Sequence, residues 1–384
     1  MDRPLPMTDP THIACFFSTS GHSGVDRTVK HLVPALAWRG YRVDLLKVRR
    51  HGPELEESPA GVTVIDLGSR HTYGCVPGIV RYLRRQRPRV LLSDKDRGNR
   101  TALLARLLAG VRTRLVFSSG TTISIDLATR GPLERWIQKN SMGRLYPYAD
   151  QVIVPSAGVA DDMADYTGLA RDRIRVVPSP VVPRSLFQAT LPKPDHPWFG
   201  DPAIPLVLST GELCPRKDFE TLIRAFARLR ARRPCRLMIL GRGKARDRLS
   251  ALTRRLDLEQ DIALPGFVPQ PYAHMAHADL FAFSSRWEGL GFVIIEALAV
   301  GTPVVSTDCP SGPREILWDG RFGPLVRVGD HEALSDAMLE TLDRPRPKEE
   351  LRRAAEPYEI EAATDAYLAA LGLPPRAGGQ HPVP

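Results

Sequence analysis

Glu288-Gly289-Leu290-Gly291-Phe292-Val293-Ile294-Ile295-Glu296-Ala297-Leu298 sets two carboxylates eight residues apart, across a glycine turn and into a nearly all-apolar helix. The turn follows an apolar run at 280–283. Strand, glycine turn and apolar helix together are the repeating unit of a parallel sheet covered on both faces. Such sheets bind ligands beyond the carboxyl ends of their strands, often at helix N-termini. Gly289 and Gly291 let the backbone expose amides at the start of this helix. Glu296 interrupts a segment that otherwise reads as fully buried, and an unpaired buried carboxylate is costly. Two readings follow: a core glutamate paired to an arginine, or a carboxylate that accepts the two hydroxyls of a ribose.

Outward from this stretch the same alternation runs along most of the chain. Strands are expected at 12–17, 42–48, 62–67, 90–93, 114–118, 151–154 and 174–177, and again at 206–209, 235–240, 262–264, 280–283 and 304–306. Helical patterns lie between them. Eight prolines between Pro178 and Pro205 break the rhythm and mark a domain boundary. The expected organisation is an N-terminal Rossmann-like domain (1–180), a proline-rich linker (181–204) and a second Rossmann-like domain (205–355). A crossover helix (356–372) returning to the first domain and a disordered tail (373–384) complete it. The fold class is α/β, two doubly wound domains facing a central cleft.

At 384 residues, each half can bury its own core. With 43% hydrophobic and 25% charged residues, the chain is neither disordered nor coiled coil. Five scattered cysteines without a CxxC pair disfavour a disulfide framework or a zinc knuckle. His274 and His277 share a helix turn, but no third ligand accompanies them, and they read as a solvated surface. The N-terminus is polar and proline-rich, and no apolar run reaches the ~18–20 residues of a membrane span. The expectation is a cytoplasmic protein that meets a membrane only from its surface. All of the +10 net charge sits in residues 1–180, with 27 Lys and Arg against 17 Asp and Glu. Arg81, Arg84, Arg85, Arg87 and Arg89 accompany the apolar stripe Val76, Ile79, Val80 and Leu83, as in an amphipathic helix. Such a charged face is either solvated or docks on an anionic membrane surface. The basic half carries no aromatic-interleaved run of the kind that binds nucleic acid, so no nucleic-acid partner is expected.

Two more strand-to-helix turns carry chemistry. After the first strand, Gly21 and Gly24 can cradle an anion or form a plain tight turn. In Gly211-Glu212-Leu213-Cys214-Pro215-Arg216-Lys217-Asp218-Phe219, two adjacent cations open a helix. The helix dipole disfavours cations at its N-terminus. The placement makes sense if an anion lies there, with Arg216 as a planar fork and Lys217 as a point charge on a diphosphate. The alternative is solvated surface charge.

At these residues the sequence resembles the retaining glycosyltransferase family 4, nucleotide-sugar transferases of the GT-B fold. The resemblance rests on the Glu288–Glu296 spacing, the Gly211…Lys217 loop, Met238–Gly243, Gly266-Phe267, the Ser284–Gly291 run, Gly301–Val305 and Asp308–Glu315. In the first half it rests on the glycine loop and Ser156–Met163. It covers about residues 11–370, specifically in the second half and diffusely in the first. The resemblance implies that Glu296 binds the ribose and Glu288 the donor-sugar hydroxyls. It implies that Arg216 and Lys217 neutralise the diphosphate, with backbone amides of Phe292 and Val293. The Gly21–Gly24 loop then closes over the distal phosphate, and Gly241, Gly243 and Phe267 flank the base. It further implies front-face substitution with retention, and neither a metal ion nor another cofactor. The partners it implies are a nucleotide-sugar donor, a UDP-sugar in this reading, and a saccharide or lipid-linked acceptor in cell-surface polysaccharide or lipopolysaccharide synthesis. Two positions depart from the family pattern. Glu212 stands where many members have Arg, and Phe117–Thr121 contains no His. Competing functions are a nucleotide-sugar epimerase or phosphorylase on the same fold and a basic nucleic-acid-binding protein.

Overall fold

The computed structural model describes residues 9–18, 24–51, 55, 59–128, 130–201 and 203–376. It divides into two compact units, one of residues 1–181 with 360–384 and the other of Val182–Glu359.

The first unit holds seven parallel strands: β1 (Asp9–Phe17), β2 (Arg42–Lys47), β3 (Val62–Asp66), β4 (Pro88–Asp94), β5 (Arg114–Ser118), β6 (Gln151–Val154) and β7 (Ile174–Val176). Their order is β3-β2-β1-β4-β5-β6-β7. Alternate residues of β1 enter opposite cores. Ala14 and Phe16 meet the helices Val76–Gln86, Asp96–Ala109 and Ala157–Thr167. Ile13, Cys15 and Phe17 meet the helices Gly24–Trp38 and Ile360–Leu371. Burial on both faces is why residues 13–17 of β1 read as an unbroken apolar run.

The C-terminal helix Ile360–Leu371 is part of this unit. It buries Tyr367, Leu368 and Leu371 in the core that also takes Leu32 and Leu36. At its outer edge Arg39 bonds Glu361 at 2.6 Å and also pairs with Asp365.

The second unit holds β8 (Leu206–Thr210), β9 (Arg236–Leu240), β10 (Ile262–Gly266), β11 (Leu280–Phe283), β12 (Val304–Thr307) and β13 (Leu325–Val326), all parallel. Their order is β10-β9-β8-β11-β12-β13. The order in which successive strands are laid down therefore reverses between β8 and β11, the topological switch point at which open α/β sheets bind ligands. The helix Phe219–Arg232 buries Phe219, Leu222, Ile223, Phe226 and Leu229, the i, i+3, i+4 stripe of an amphipathic helix. Each such side chain contributes about 1.5–3 kcal/mol of burial.

Four elements are absent from the sequence expectation: the two-residue β13 and the helices Ile123–Ala128, Pro313–Ile316 and Lys348–Ala355. The first three are too short to show a period. The proline-rich stretch from Val182 onward belongs to the second unit. It forms the turns Arg184–Phe187 and Pro197–Gly200, and a parallel bridge joins Val182 to Glu359. Residues 377–384 of the expected tail lie outside the described residues.

Candidate functional site

The loops that leave β8, β9 and β10 are joined backbone to backbone. Gly211 N donates to Leu240 O (2.9 Å), Leu213 N to Arg242 O (2.8 Å) and Gly241 N to Gly266 O (2.8 Å). The approach is so close that a Cβ on Gly241 would lie 1.8 Å from Gly211 O, and one on Gly243 would lie 2.3 Å from Leu213 O. Beyond these loops Phe267 is exposed, with the Arg242 guanidinium 5.7 Å from its ring centroid.

From β8 the chain makes the single tight turn Pro215–Lys217 and passes through Asp218, at φ 46°, into the helix Phe219–Arg232. The two cations lie beside the switch point, and so does the turn after β11. Glu288 Oε1 accepts from Lys217 Nζ at 2.7 Å, and its Oε2 accepts from an Arg216 guanidinium nitrogen at 2.5 Å. Ser285 Oγ adds a 2.8 Å bond to Oε1, and Lys217 Nζ lies 4.9 Å from the Phe283 ring centroid. Glu288 and Lys217 are both buried, whereas Arg216 is partly exposed. Burial opposes the charge on Glu288, but Lys217 and Arg216 outweigh it and hold the carboxyl below its ordinary range.

The sequence reading treats Glu288 and the cation pair as separate features and asks which anion sits by the cations. In the fold, Glu288 itself is that neighbour. Its supports are also absent from the sequence reading. Ser284 Oγ donates to Lys217 O (2.8 Å) and Arg286 N to Arg216 O (2.8 Å). The Arg286 side chain pairs with Asp218 at 3.0 Å, and Thr307 Oγ1 donates to Ser285 O at 2.7 Å. The one available signal was the polar run Ser284-Ser285-Arg286 after a fully apolar strand.

Gly289 is half-buried in the turn, and Gly291, at φ 97°, starts the helix Phe292–Ala299. Opposite the turn, a Cβ on Gly312 would lie 1.8 Å from Leu290 O. Phe292 and Val293 are half-buried in the first helical turn, and Glu296 is fully buried one turn on. In the first unit, Gly24 is exposed at the start of the helix Gly24–Trp38, and Gly21 lies outside the described residues. The sequence reading also passed over Asp94, at the carboxyl end of β4. It is 2% exposed, and burial pushes its carboxyl up to about 6 against the pull of Lys95.

His274 and His277 do not face one ligand. His274 packs edge-on to Phe199, whereas His277 Nε2 is 2.9 Å from Leu191 O. His274 is thus part of an aromatic group, not the solvated surface expected. Among the described residues no group of three or more His, Cys, Asp or Glu could hold a metal ion.

Residues 198–358 match the family model described as Glycosyl transferases group 1, and residues 23–180 match a Glycosyl transferase 4-like domain. The chain is 32% identical over 284 residues to N-acetylgalactosamine-N,N'-diacetylbacillosaminyl-diphospho-undecaprenol 4-alpha-N-acetylgalactosaminyltransferase of Campylobacter jejuni, covering 72% of this chain and 74% of that one. The chain belongs to the group 1 glycosyltransferases. A second relative, the lipopolysaccharide core biosynthesis glycosyltransferase LpsE of Rhizobium meliloti, is 34% identical over 234 residues, 59% of this chain and 65% of its own. Two solved structures share the GT-B fold. Lipopolysaccharide outer core galactosyltransferase WaaB (TM-score 0.73, 17% identity) and Anabaena HepE in complex with UDP and glucose (TM-score 0.72, 18% identity) each match 94% of this chain and 99% of their own. In this glycosyltransferase the β8/β11 switch point carries two cations, a carboxylate and a helix N-terminus. Chemically, that set can hold a polyanion and stabilise charge developing on it.

Proposed function

We propose that this glycosyltransferase transfers a hexosyl group, with retention, from a UDP-sugar to a saccharide or lipid-linked saccharide in cell-surface glycan synthesis. The observation that carries the reading is the convergence of Arg216, Lys217 and Glu288 at the switch point of the second sheet. Supporting it, one relative's name specifies an undecaprenol diphosphate-linked acceptor and one structural neighbour was solved with UDP.

In this reading Arg216, Lys217 and the amides of Phe292 and Val293 hold the diphosphate. Glu296 holds the ribose and Glu288 the sugar hydroxyls, while Gly241, Gly243 and Phe267 flank the base. The acceptor hydroxyl attacks from the side the diphosphate leaves, and the departing phosphate takes its proton. Negative charge grows on the diphosphate in the transition state, which is where two fixed cations and a helix N-terminus stabilise most. Arg216 and Lys217 supply that positive charge, so the mechanism needs neither metal ion nor cofactor.

A thermal-shift screen across UDP-, GDP- and ADP-sugars tests the reading, because a ligand bound by the native state raises the melting temperature by mass action. The UDP-sugars are expected to shift it most. Release of an epimerised free sugar nucleotide would instead mark an isomerase. Salt-sensitive RNA binding without donor turnover would mark a nucleic-acid-binding protein.

Glu296→Gln keeps the shape of the side chain and removes its charge. Donor binding is expected to weaken by about 1–3 kcal/mol, the worth of charge-assisted hydrogen bonds. Unchanged nucleotide affinity in calorimetry would make Glu296 a structural carboxylate.

We also propose peripheral attachment of the first unit to an anionic membrane from the cytoplasmic side. Among the described residues no helix is long and apolar enough to cross a membrane. Arg81, Arg84 and Arg85 are exposed on the helix Val76–Gln86. The helices Asp96–Ala109 and Pro132–Leu145 pack on the same face of the sheet. Each exposes an i, i+3, i+4 apolar triplet: Leu104, Leu107 and Leu108 on the first, Leu133, Trp136 and Ile137 on the second. The sequence expectation was purely electrostatic docking; these side chains add shallow apolar contact. Flotation with anionic vesicles is expected to recover the protein at low salt, and neutral vesicles should not. Neutralising Arg81, Arg84 and Arg85 should reduce recovery without affecting donor hydrolysis, each cation near the surface being worth about 1 kcal/mol. Indifference to anionic vesicles at low salt would reduce this surface to a solvated face.

A further inference from the structure

Two cations converge on one carboxylate at the proposed diphosphate subsite. Lys217 and Glu288 are each 8% exposed, so neither charge is well solvated by water. Both oxygens of Glu288 are engaged, Oε1 by Lys217 and Ser285 and Oε2 by Arg216. The backbone behind the cations is fixed by the bonds from Ser284 Oγ to Lys217 O and from Arg286 N to Arg216 O. Arg216 is the outer member, its side chain 32% exposed, and is the contact that can be released with least desolvation.

We propose that Glu288 is a resident counter-ion of the diphosphate subsite, which exchanges with the phosphates for Arg216 as donor enters and product leaves. This rests on the reading of Arg216 and Lys217 as diphosphate ligands. A diphosphate brought between them meets a carboxylate already held at 2.5 and 2.7 Å by the same two cations. To bind, it takes over one contact, and Glu288 turns toward the sugar hydroxyls. The departing diphosphate first carries the acceptor's proton, and once that proton is lost to water it holds one more negative charge than it did in the donor. The repulsion from Glu288 grows with that loss. Glu288 then recaptures Arg216 as the diphosphate departs. The carboxylate thus trades ground-state affinity for faster release, a role that a simple hydroxyl ligand does not have. Its depressed proton affinity keeps it ionised throughout the neutral range.

Inorganic pyrophosphate tests this without a base or a sugar. Calorimetry on the full chain is expected to show Glu288→Gln binding pyrophosphate about tenfold or more tighter than wild type. Glu288→Asp, which keeps the charge, should stay close to wild type. Pyrophosphate should also raise the melting temperature of the Gln variant more than that of wild type. This second readout serves even where the variant is poorly stable without an anion. Unchanged or weaker pyrophosphate affinity in Glu288→Gln, with the smaller thermal shift, overturns the proposal. Lys217→Ala separates it from the underlying reading. If pyrophosphate binding does not depend on Lys217, the diphosphate assignment itself fails. If it depends on Lys217 but not on the Glu288 charge, only the counter-ion role fails.

Discussion

Lys217→Ala is expected to lower kcat/KM by about 10²–10³, the cost of deleting one preorganised donor aimed at transition-state charge. The side chain is buried, it lies within 2.7 Å of Glu288, and its own carbonyl is held by Ser284. No neighbouring lysine can take its place within the turn Pro215–Lys217. Stability should fall less than turnover, by about 1–3 kcal/mol, because Glu288 keeps Arg216 and Ser285 as partners. Binding of UDP should weaken far more than binding of uridine, which carries no phosphate. Equal losses for the two ligands would remove Lys217 from the diphosphate site.

Gly241→Ala is expected to be strongly destabilising, costing about 3 kcal/mol or more. The added Cβ meets the carbonyl oxygen of Gly211 at 1.8 Å, and neither backbone can yield without breaking the bond from Gly211 N to Leu240 O. The loop that would have to move is the one that delivers Arg216 and Lys217. Gly110→Ala is the control. Gly110 also has positive φ (65°), but its Cβ position is open, so only the left-handed strain of about 1–2 kcal/mol applies. Denaturant unfolding of both variants measures the difference. Equal costs would mean that conformation alone, and not the contact between the β8 and β9 loops, requires glycine at 241.

Most of the fold was legible because its signals are local. Buried parallel strands make short apolar runs, and their covering helices make amphipathic ones, as in Leu206–Thr210 followed by Phe219–Arg232. The Glu288–Glu296 spacing, the glycine turn and the adjacent cations at 216 and 217 were likewise readable one turn at a time. The helices Ile123–Ala128 and Pro313–Ile316 and the strand β13 were not, because four to six residues hold less than two turns of a helix and two residues hold one period of a strand. The exposed leucines of Asp96–Ala109 were hidden for a different reason. That helix is apolar on more than one side, and hydropathy does not say which stripe a neighbour covers.

The sequence by itself determined the α/β class, the two Rossmann-like halves and the residue types on which the site is built. Each of these follows from side-chain character within about ten residues along the chain. Only the tertiary structure decided what those residues do to one another. Arg216 and Lys217 stand 72 and 71 residues from Glu288, and their meeting depends on β8 and β11 becoming neighbours in the sheet. Strand order is a collective outcome of packing helices on both faces, so no local pattern encodes it. The same order makes an exposed-looking cation pair into a three-charge cluster in which Lys217 and Glu288 are buried, and replaces the expected lone anion site with one already occupied by a carboxylate.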